Sequence, residues 1–271
     1  MLVAAHFWKP LALEHVECFR ALRSTHRYPR HSHESYSIGA IEEGVGGNYY
    51  RGASCSFPAG SVVTMNPDEA HTGYSAGKLP LSYRMLYIHP AQFRTMFPEL
   101  RTLPSFSSAG IDDSRLCCEL VRVHSEMEAG TDPLLSEEIL VETLTYMASR
   151  YTQPHAEPPA ASEPRAVMLV KEYLQSCYDR PIRLVDLAQL TDLGHAHLIR
   201  CFRRALGITP HQYLIQARVR HARLLLAQGE PIASAAISTG FADQSHLTRH
   251  FKSITGLTPG QYAAGHFRSR Q

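Results

Sequence analysis

Between residues 28 and 90 apolar and polar side chains alternate in short runs, SYSIGAI, NYYRG, SVVTM and SYRMLYI, punctuated by EEGVGG, FPAG and NPDE. A period of two places every second side chain on one face of a strand. Short strands interrupted by Gly and Pro every ~8–12 residues predict an antiparallel sandwich or small barrel. From residue 112 the period lengthens. Leu116, Leu120, Val123 and Met127 form one stripe, and Leu140, Leu144 and Met147 form another after the breaker GTDP. These predict two amphipathic helices whose apolar seam packs on the barrel, on a second subunit, or on both. The segment TQPHAEPPAASEP, residues 152–164, is dense in Pro and reads as a partly extended linker.

Beyond the linker the pattern is helical and repeats itself. HLIRCFRRALGITPHQY at 197–213 returns as HLTRHFKSITGLTPGQY at 246–262, displaced by 49 positions. Each copy predicts a helix with Leu and Phe on one face and basic residues on another, then Gly, then Thr-Pro opening a new helix. Upstream of the first copy, RLVDLAQLTDL (183–193) predicts a support helix with Leu184, Leu187, Ala188 and Leu190 inward. Upstream of the second, Ile232, Ala236 and Ile237 predict another, with the turn at Gly240-Phe241. Helix, tight turn, helix is the arrangement that places the second helix in the major groove of DNA.

On the first reading helix Leu198, Phe202 and Ala205 are expected inward and Ala196, Ile199, Arg200 and Arg203 outward. On the second, Leu247, Phe251 and Ile254 are expected inward and Gln244, Ser245, Thr248, Arg249 and Lys252 outward. Arg can read guanine bidentately, Gln can read adenine, and Ala or Ile can touch a thymine methyl. The remaining basic groups neutralise phosphate, which positions without specifying. Residues 209–229 predict an unbroken connector helix of about 30 Å at 1.5 Å per residue. Such a rod could hold the two readers about one DNA turn, roughly 34 Å, apart.

Charge supports that division. The chain has 27 Lys and Arg against 25 Asp and Glu, net +2; from Arg165 onward 14 stand against 6, or +8, leaving 13 against 19, or −6, before it. A basic C-terminal module implies a polyanion partner, and double-stranded DNA is the expected one. A basic helical bundle that binds protein is the alternative, but it does not require one reading-helix design twice. The six Cys form no C-x-x-C pair and read as small buried hydrophobes or reduced thiols. With no leader and no run of about 18 apolar residues, a cytoplasmic chain with no membrane partner is expected.

The segment STGFADQSHLTRHFKSITGLTPGQY resembles the signature of the AraC/XylS transcription regulators, and residues 165–271 resemble their double helix-turn-helix domain. The resemblance implies seven helices, a promoter site on DNA and contact with RNA polymerase. It also implies that base reading falls on Ala196, Ile199 and Arg200 and on Gln244, Ser245 and Arg249. The helix-starting position that usually holds Ser is Gly194 in the first unit and Ala242 in the second. An Ala cap costs on the order of 1 kcal/mol, with Asp243 offsetting part of it through the helix dipole.

Residues 1–151 resemble, more loosely, the cupin-like effector domain of the same family, through PRHSHESYSIGAIEEGVGG, FPAGSVVTMNPDEAHTG and YRMLYIHP. This implies a β-barrel over about 28–90, a helix pair over about 112–151, a small-molecule effector and a homodimer joined through the helix pair. His31 and His33 are expected to share a strand face, with His71 closing the barrel mouth. These three, with Tyr36, Asn66 and Tyr83, are the candidate effector contacts; Met85 and Tyr87 join Tyr36 and Tyr83 as possible barrel lining, or as core. Three His could bind a divalent metal, but metal cupins usually place a Glu four residues after the second His, where this chain has Ser37. The expectation is therefore a multidomain α and β protein: a ligand-responsive activator of an adjacent operon, with no catalytic residue, no metal and no cofactor. The alternative is a metal-dependent cupin enzyme with a DNA-binding appendage.

Overall fold

The computed structural model describes residues 4–10, 13, 16–97, 102–129, 133–154 and 162–268. Of these, residues 4–27, 32–154 and 265–268 group as one compact unit, and residues 28–31 and 162–264 as another.

The first strands are β1 (Ala4–Trp8), β2 (Val16–Ser24), β3 (Tyr28–His31), β4 (Tyr36–Glu43), β5 (Val45–Tyr50), β6 (Ala53–Pro58), β7 (Val62–Met65), β8 (His71–Ser75) and β9 (Leu81–Ile88); all but β3 build the N-terminal unit. A short helix α1 (Pro90–Met96), strands β10 (Pro104–Phe106) and β11 (Gly110–Ile111), helices α2 (Ser114–Ala129) and α3 (Pro133–Tyr151), and strand β12 (Thr152–Pro154) follow. One sheet has the order β1-β2-β9-β4-β7-β11 and a second contains β8-β5-β6, while β10 and β12 pair separately. The barrel thus recruits β1 and β2, upstream of the predicted 28–90 stretch. The start of the expected linker is also a paired strand, Pro154 opposite Pro104, and its middle lies outside the described residues.

Alternation decides the two faces of the larger sheet. Tyr36, Ile38 and Ala40 of β4 join a core with Leu116, Leu120, Val123, Leu140, Leu144 and Met147 of α2 and α3. The helix pair therefore spends its apolar seam on the chain's own sheet, and a second subunit could meet only its outer face. Side chains of opposite parity face the smaller sheet. Ser37 stands across from Tyr87, Gly39 from Met85 and Ile41 from Tyr83, and a Cβ on Gly46 of β5 would lie 3.2 Å from Ile41. A Cβ on Gly39 would collide with the Met85 sulfur, so glycine there admits the thioether into the interior.

Between the sheet and α2 lies a charged network. Arg84, 5% exposed, donates to Glu42 at 3.0 Å, to Glu128 at 2.9 Å and to Nδ1 of His124 at 3.0 Å. The other His124 nitrogen donates to the Phe19 carbonyl at 3.1 Å, which fixes the neutral tautomer. Burial, reinforced by Arg84, pulls the His124 pKa down to about 3.

The helical unit comprises α4 (Ser162–Ser176), α5 (Leu184–Thr191), α6 (His195–Leu206), α7 (Pro210–Ala227), α8 (Ile232–Ser238), α9 (Gln244–Thr255) and α10 (Pro259–Arg268). The sequence repeat is the scaffold of this unit. Gly207 (φ 72°) and Gly256 (φ 80°) end α6 and α9 in the left-handed region, where an L side chain is strained. Their amides donate to the carbonyls of Arg203 at 2.8 Å and Lys252 at 2.9 Å. Thr209 then boxes with Gln212, and Thr258 with Gln261, to start α7 and α10. Phe202 packs edge-on to Tyr213 at 5.7 Å, and Phe251 to Tyr262 at 5.5 Å. The fixed Gly, Thr-Pro, Gln and Tyr of both copies are thus stop signal, start signal and aromatic lock.

Four inward positions differ from expectation. Ala205 is exposed and Cys201 buried, so the inward stripe of α6 is Leu198, Cys201 and Phe202. In α9 Thr255 is buried beside Leu247 and Phe251, while Ile254 is only half-buried. Leu190, 38% exposed, and Ile237, 63% exposed, lie outside the core. Helices as short as α5 and α8 bury only the turn that touches a neighbour, and Leu187 and the pair Ala235 and Ala236 fill it.

Candidate functional site

Two sets of side chains are positioned to meet a ligand, one in each unit. In the helical unit α5–α6 and α8–α9 each form helix, turn, helix. Arg200 and Arg203 on α6 are exposed and Ile199 is half-buried; α6 contains position 196, but the Ala196 side chain lies outside the described residues. On α9 Gln244, Ser245, Arg249 and Lys252 are exposed. Thr248 is half-buried and returns its hydroxyl to the Gln244 carbonyl at 2.7 Å. That bond uses its only donor, leaving oxygen lone pairs and the methyl for a base edge.

The caps differ between the copies. Gly194 caps α6 with no side-chain hydrogen bond. In the second copy the cap is Asp243, not Ala242, because α9 begins at Gln244 and the Asp243 carboxylate accepts from His246 N–H at 2.7 Å. The penalty expected for an alanine cap does not arise, and a carboxylate at a helix N-terminus is favourable.

The frame holding the two motifs is local. Arg218 of α7 donates to the Tyr178 carbonyl at 2.8 Å and to the Arg180 carbonyl at 3.0 Å, both before α5. A Cβ on Gly240, in the α8–α9 turn, would fall 2.8 Å from that same Tyr178 oxygen. His221, one turn along α7, stacks on Tyr178 at 3.6 Å. One loop therefore touches the connector and the second motif together. Sequence reading missed this node, since Arg218 looks like any other basic residue on a basic helix.

The three predicted His do not all belong to the barrel unit. His31 ends β3 and His33 lies beyond it, so they do not share a strand. His31 is grouped with the helical unit, and only His33 and His71 belong to the barrel unit. His33 is 5.1 Å from His71 and 5.3 Å from Tyr87 between ring centres. Tyr83 is buried, on the inner face.

Tyr36 faces the other way. Its ring packs on Phe93 and Phe106, and its hydroxyl donates to the Pro104 carbonyl at 2.7 Å. Burial pushes that phenol up to about 12. Asn66 is a fastener: its carbonyl accepts from Phe106 N–H at 2.8 Å, and its amide donates to Phe106 O at 3.0 Å and to the Tyr50 hydroxyl at 3.2 Å. Both were expected to touch effector, and the structure commits both to packing.

Two other polar groups are left for a ligand. The Ser37 hydroxyl, directly across from Tyr87, and both amide atoms of Asn48, two residues from Tyr50 on β5, are buried without a hydrogen-bond partner among the described residues. A buried polar group without a partner costs about 1–3 kcal/mol, so a bound molecule or water is expected at each. Nothing in the pattern of residues singles out Asn48, which stands in a strand like any other.

Comparison with known proteins fits both units. Residues 15–144 match the AraC-like ligand binding domain and residues 187–265 a helix-turn-helix domain. The HTH-type transcriptional regulator YbfI of Bacillus subtilis is 30% identical over 236 residues, 86% of each chain. The transcriptional activator RhaS of Pectobacterium carotovorum is 23% identical over 86% of each. Crystalline ToxT from Vibrio cholerae has the same fold, with TM-score 0.62 at 16% identity, covering 97% of this chain and 96% of that one. The relatives are transcriptional regulators by name, and the double helix-turn-helix scaffold is that of a DNA-binding domain. The chain belongs to the AraC/XylS family of transcription regulators, with a ligand-binding barrel and a DNA-binding double helix-turn-helix.

Proposed function

We propose that the protein is a ligand-responsive transcription activator that binds promoter DNA with α6 and α9 in successive major grooves. The single observation that carries this reading is the duplicated scaffold, which presents exposed Arg200 and Arg203 on one helix and Gln244, Ser245, Arg249 and Lys252 on the other. The connector α7 has 18 residues, about 27 Å at 1.5 Å per residue, a length suited to readers one helical turn apart. A relative named as a transcriptional activator supports activation, and with it contact to RNA polymerase. Control of an adjacent operon, a cytoplasmic location and homodimerisation through the outer face of α2 and α3 complete the proposal. Among the described residues no helix is long and apolar enough to cross a membrane.

The effector is a small molecule held in the barrel by the group around His33, His71 and Tyr87, with Ser37 and Asn48 as hydrogen-bonding contacts. Tyr83 on the inner wall belongs to the same proposed pocket. Its binding acts by favouring one presentation of the DNA-binding unit over another.

Selection of genomic fragments by the full chain tests the reading. Specific sites should be bound on the order of a thousandfold or more tighter than random duplex. Equal affinity for all fragments would reduce the helical unit to a nonspecific polyanion binder and remove the proposal.

A further inference from the structure

Within the helical unit, the loop joining α4 to α5, residues 177–183, meets the connector and the second motif at one point. Arg218 of α7 is half-buried and spends its guanidinium on protein, Nε on the Tyr178 carbonyl at 2.8 Å and one terminal nitrogen on the Arg180 carbonyl at 3.0 Å. The Tyr178 ring lies flat on His221, one turn farther along α7, with 3.6 Å between ring centres and 5° between planes. Gly240 approaches from the turn of the second motif. Its φ is 79°, and a Cβ there would fall 2.8 Å from the Tyr178 oxygen and 3.0 Å from the Arg218 guanidinium. The end of α4 reaches the first motif as well: Gln175 donates to the Tyr213 hydroxyl at 2.9 Å, and the Tyr213 ring packs on Phe202 of α6.

We propose that Arg218 and Tyr178 are positioning residues that fix the spacing at which the two motifs meet DNA, without touching the duplex themselves. A connector helix alone does not fix it. Over the 18 residues of α7, about 27 Å, a tilt of about 7° between the motifs displaces a reader by roughly 3.4 Å, one base-pair step. The two hydrogen bonds from the charged Arg218 side chain fasten the start of the first motif to the connector, at a carbonyl that the second motif also touches. A tilt of either motif must therefore break or stretch them. This inference rests on the reading proposed above, in which α6 and α9 occupy successive major grooves.

The test uses the full chain and duplexes carrying the two blocks that wild type selects, with their separation changed by one or two base pairs in either direction. Fluorescence anisotropy reads affinity against spacing. Wild type should lose roughly tenfold or more at each altered spacing, because a displaced reader loses its base contacts. Arg218→Met keeps the aliphatic stem and removes both donors, and its affinities should come within about threefold of one another across the series. Arg218→Lys restores a charged donor and should keep the wild-type optimum with a broader profile. His221→Ala removes the ring stack and leaves both Arg218 bonds; it should also broaden the profile, and it decides the matter where Arg218→Met does not fold. Base preference within each block should be unchanged in every variant. An equal loss at all spacings would overturn the proposal, since a phosphate contact or a general loss of stability lowers the whole profile without flattening it. So would profiles as sharp as wild type in Arg218→Met and His221→Ala, an outcome that leaves the two-groove reading intact. A wild type that selects no pair of blocks would instead remove that reading, and this inference with it.

Discussion

Replacing Asp243 by Ala removes the one side-chain cap on either reading helix. The carboxylate accepts from His246 N–H at 2.7 Å and stands at the positive end of the twelve-residue α9. Losing an N-cap to Ala costs about 1 kcal/mol, and losing the charge at the helix terminus adds about 0.3–1 kcal/mol. The sum is about 1.5 kcal/mol. For a domain of 60–100 residues each kcal/mol moves Tm by roughly 4–8 °C, so the helical unit should melt about 6–12 °C lower. Asp243→Asn keeps an acceptor and should lose only the charge contribution. Gly194 offers the converse: it is extended (φ −62°, ψ 146°), with open space where a Cβ would stand. Gly194→Ser should therefore gain a few tenths of a kcal/mol, roughly 1–3 °C. Calorimetry of the full chain, without DNA, reads all three. An Asp243→Ala protein melting with wild type, or a Gly194→Ser protein melting lower, would refute the cap assignment.

Arg218→Ala releases the Tyr178 and Arg180 carbonyls and frees the loop before α5 from the connector. Fluorescence anisotropy should show weaker binding to a complete two-block site with each isolated block bound as before; equal loss on both would make Arg218 a simple phosphate contact. Lys252→Ala should lower the slope of log K against log salt by about 0.9 if it touches one phosphate, and an unchanged slope would remove it from the backbone contacts. The His124 pKa lies below its unfolded value, so the unfolded chain takes up the proton first, and the stabilising contribution is lost as pH falls from about 6.5 towards 3, at up to ~1.4 kcal/mol per pH unit. Urea titrations across that range should show a shallower pH dependence for His124→Gln, and identical slopes would exclude His124 as the titrating group.

What was legible in the sequence was whatever the backbone itself demands. Gly207 and Gly256, Thr209 and Thr258, and Tyr213 and Tyr262 repeat because each stop, start and lock is needed twice, and the structure puts them to those uses. Choices made by neighbours across space were not legible. Ala205 and Ile254 fit a helical stripe on paper, but the turn that meets the core is occupied by Cys201 in α6 and by Thr255 in α9. Tyr36 obeys strand alternation as well as Tyr83 does, and only the location of α2 and α3 decides that it faces the helices. His31 and His33 do not alternate on one strand, because β3 ends at His31; within the barrel unit it is His33 and His71 that come together. Asn48 and Ser37 could not be singled out, because being unpartnered is a property of the folded barrel. The same limit affected the helix pair: Leu116, Leu120 and Leu144 are an apolar seam, yet all are covered by the chain's own sheet, so polar substitutions there would unfold the unit before they reported on a dimer.

The central claim is that one scaffold, used twice, presents two readers of different chemistry. Selection from random DNA by wild type, Arg200→Ala and Arg249→Ala protein tests it most directly. Wild type should select two sequence blocks about one helical turn, roughly 10 base pairs, apart. Arg249→Ala should relax one position in one block at a cost of about 1–3 kcal/mol, and Arg200→Ala should affect only the other. A single block, or relaxation of the same block by both variants, would contradict the account.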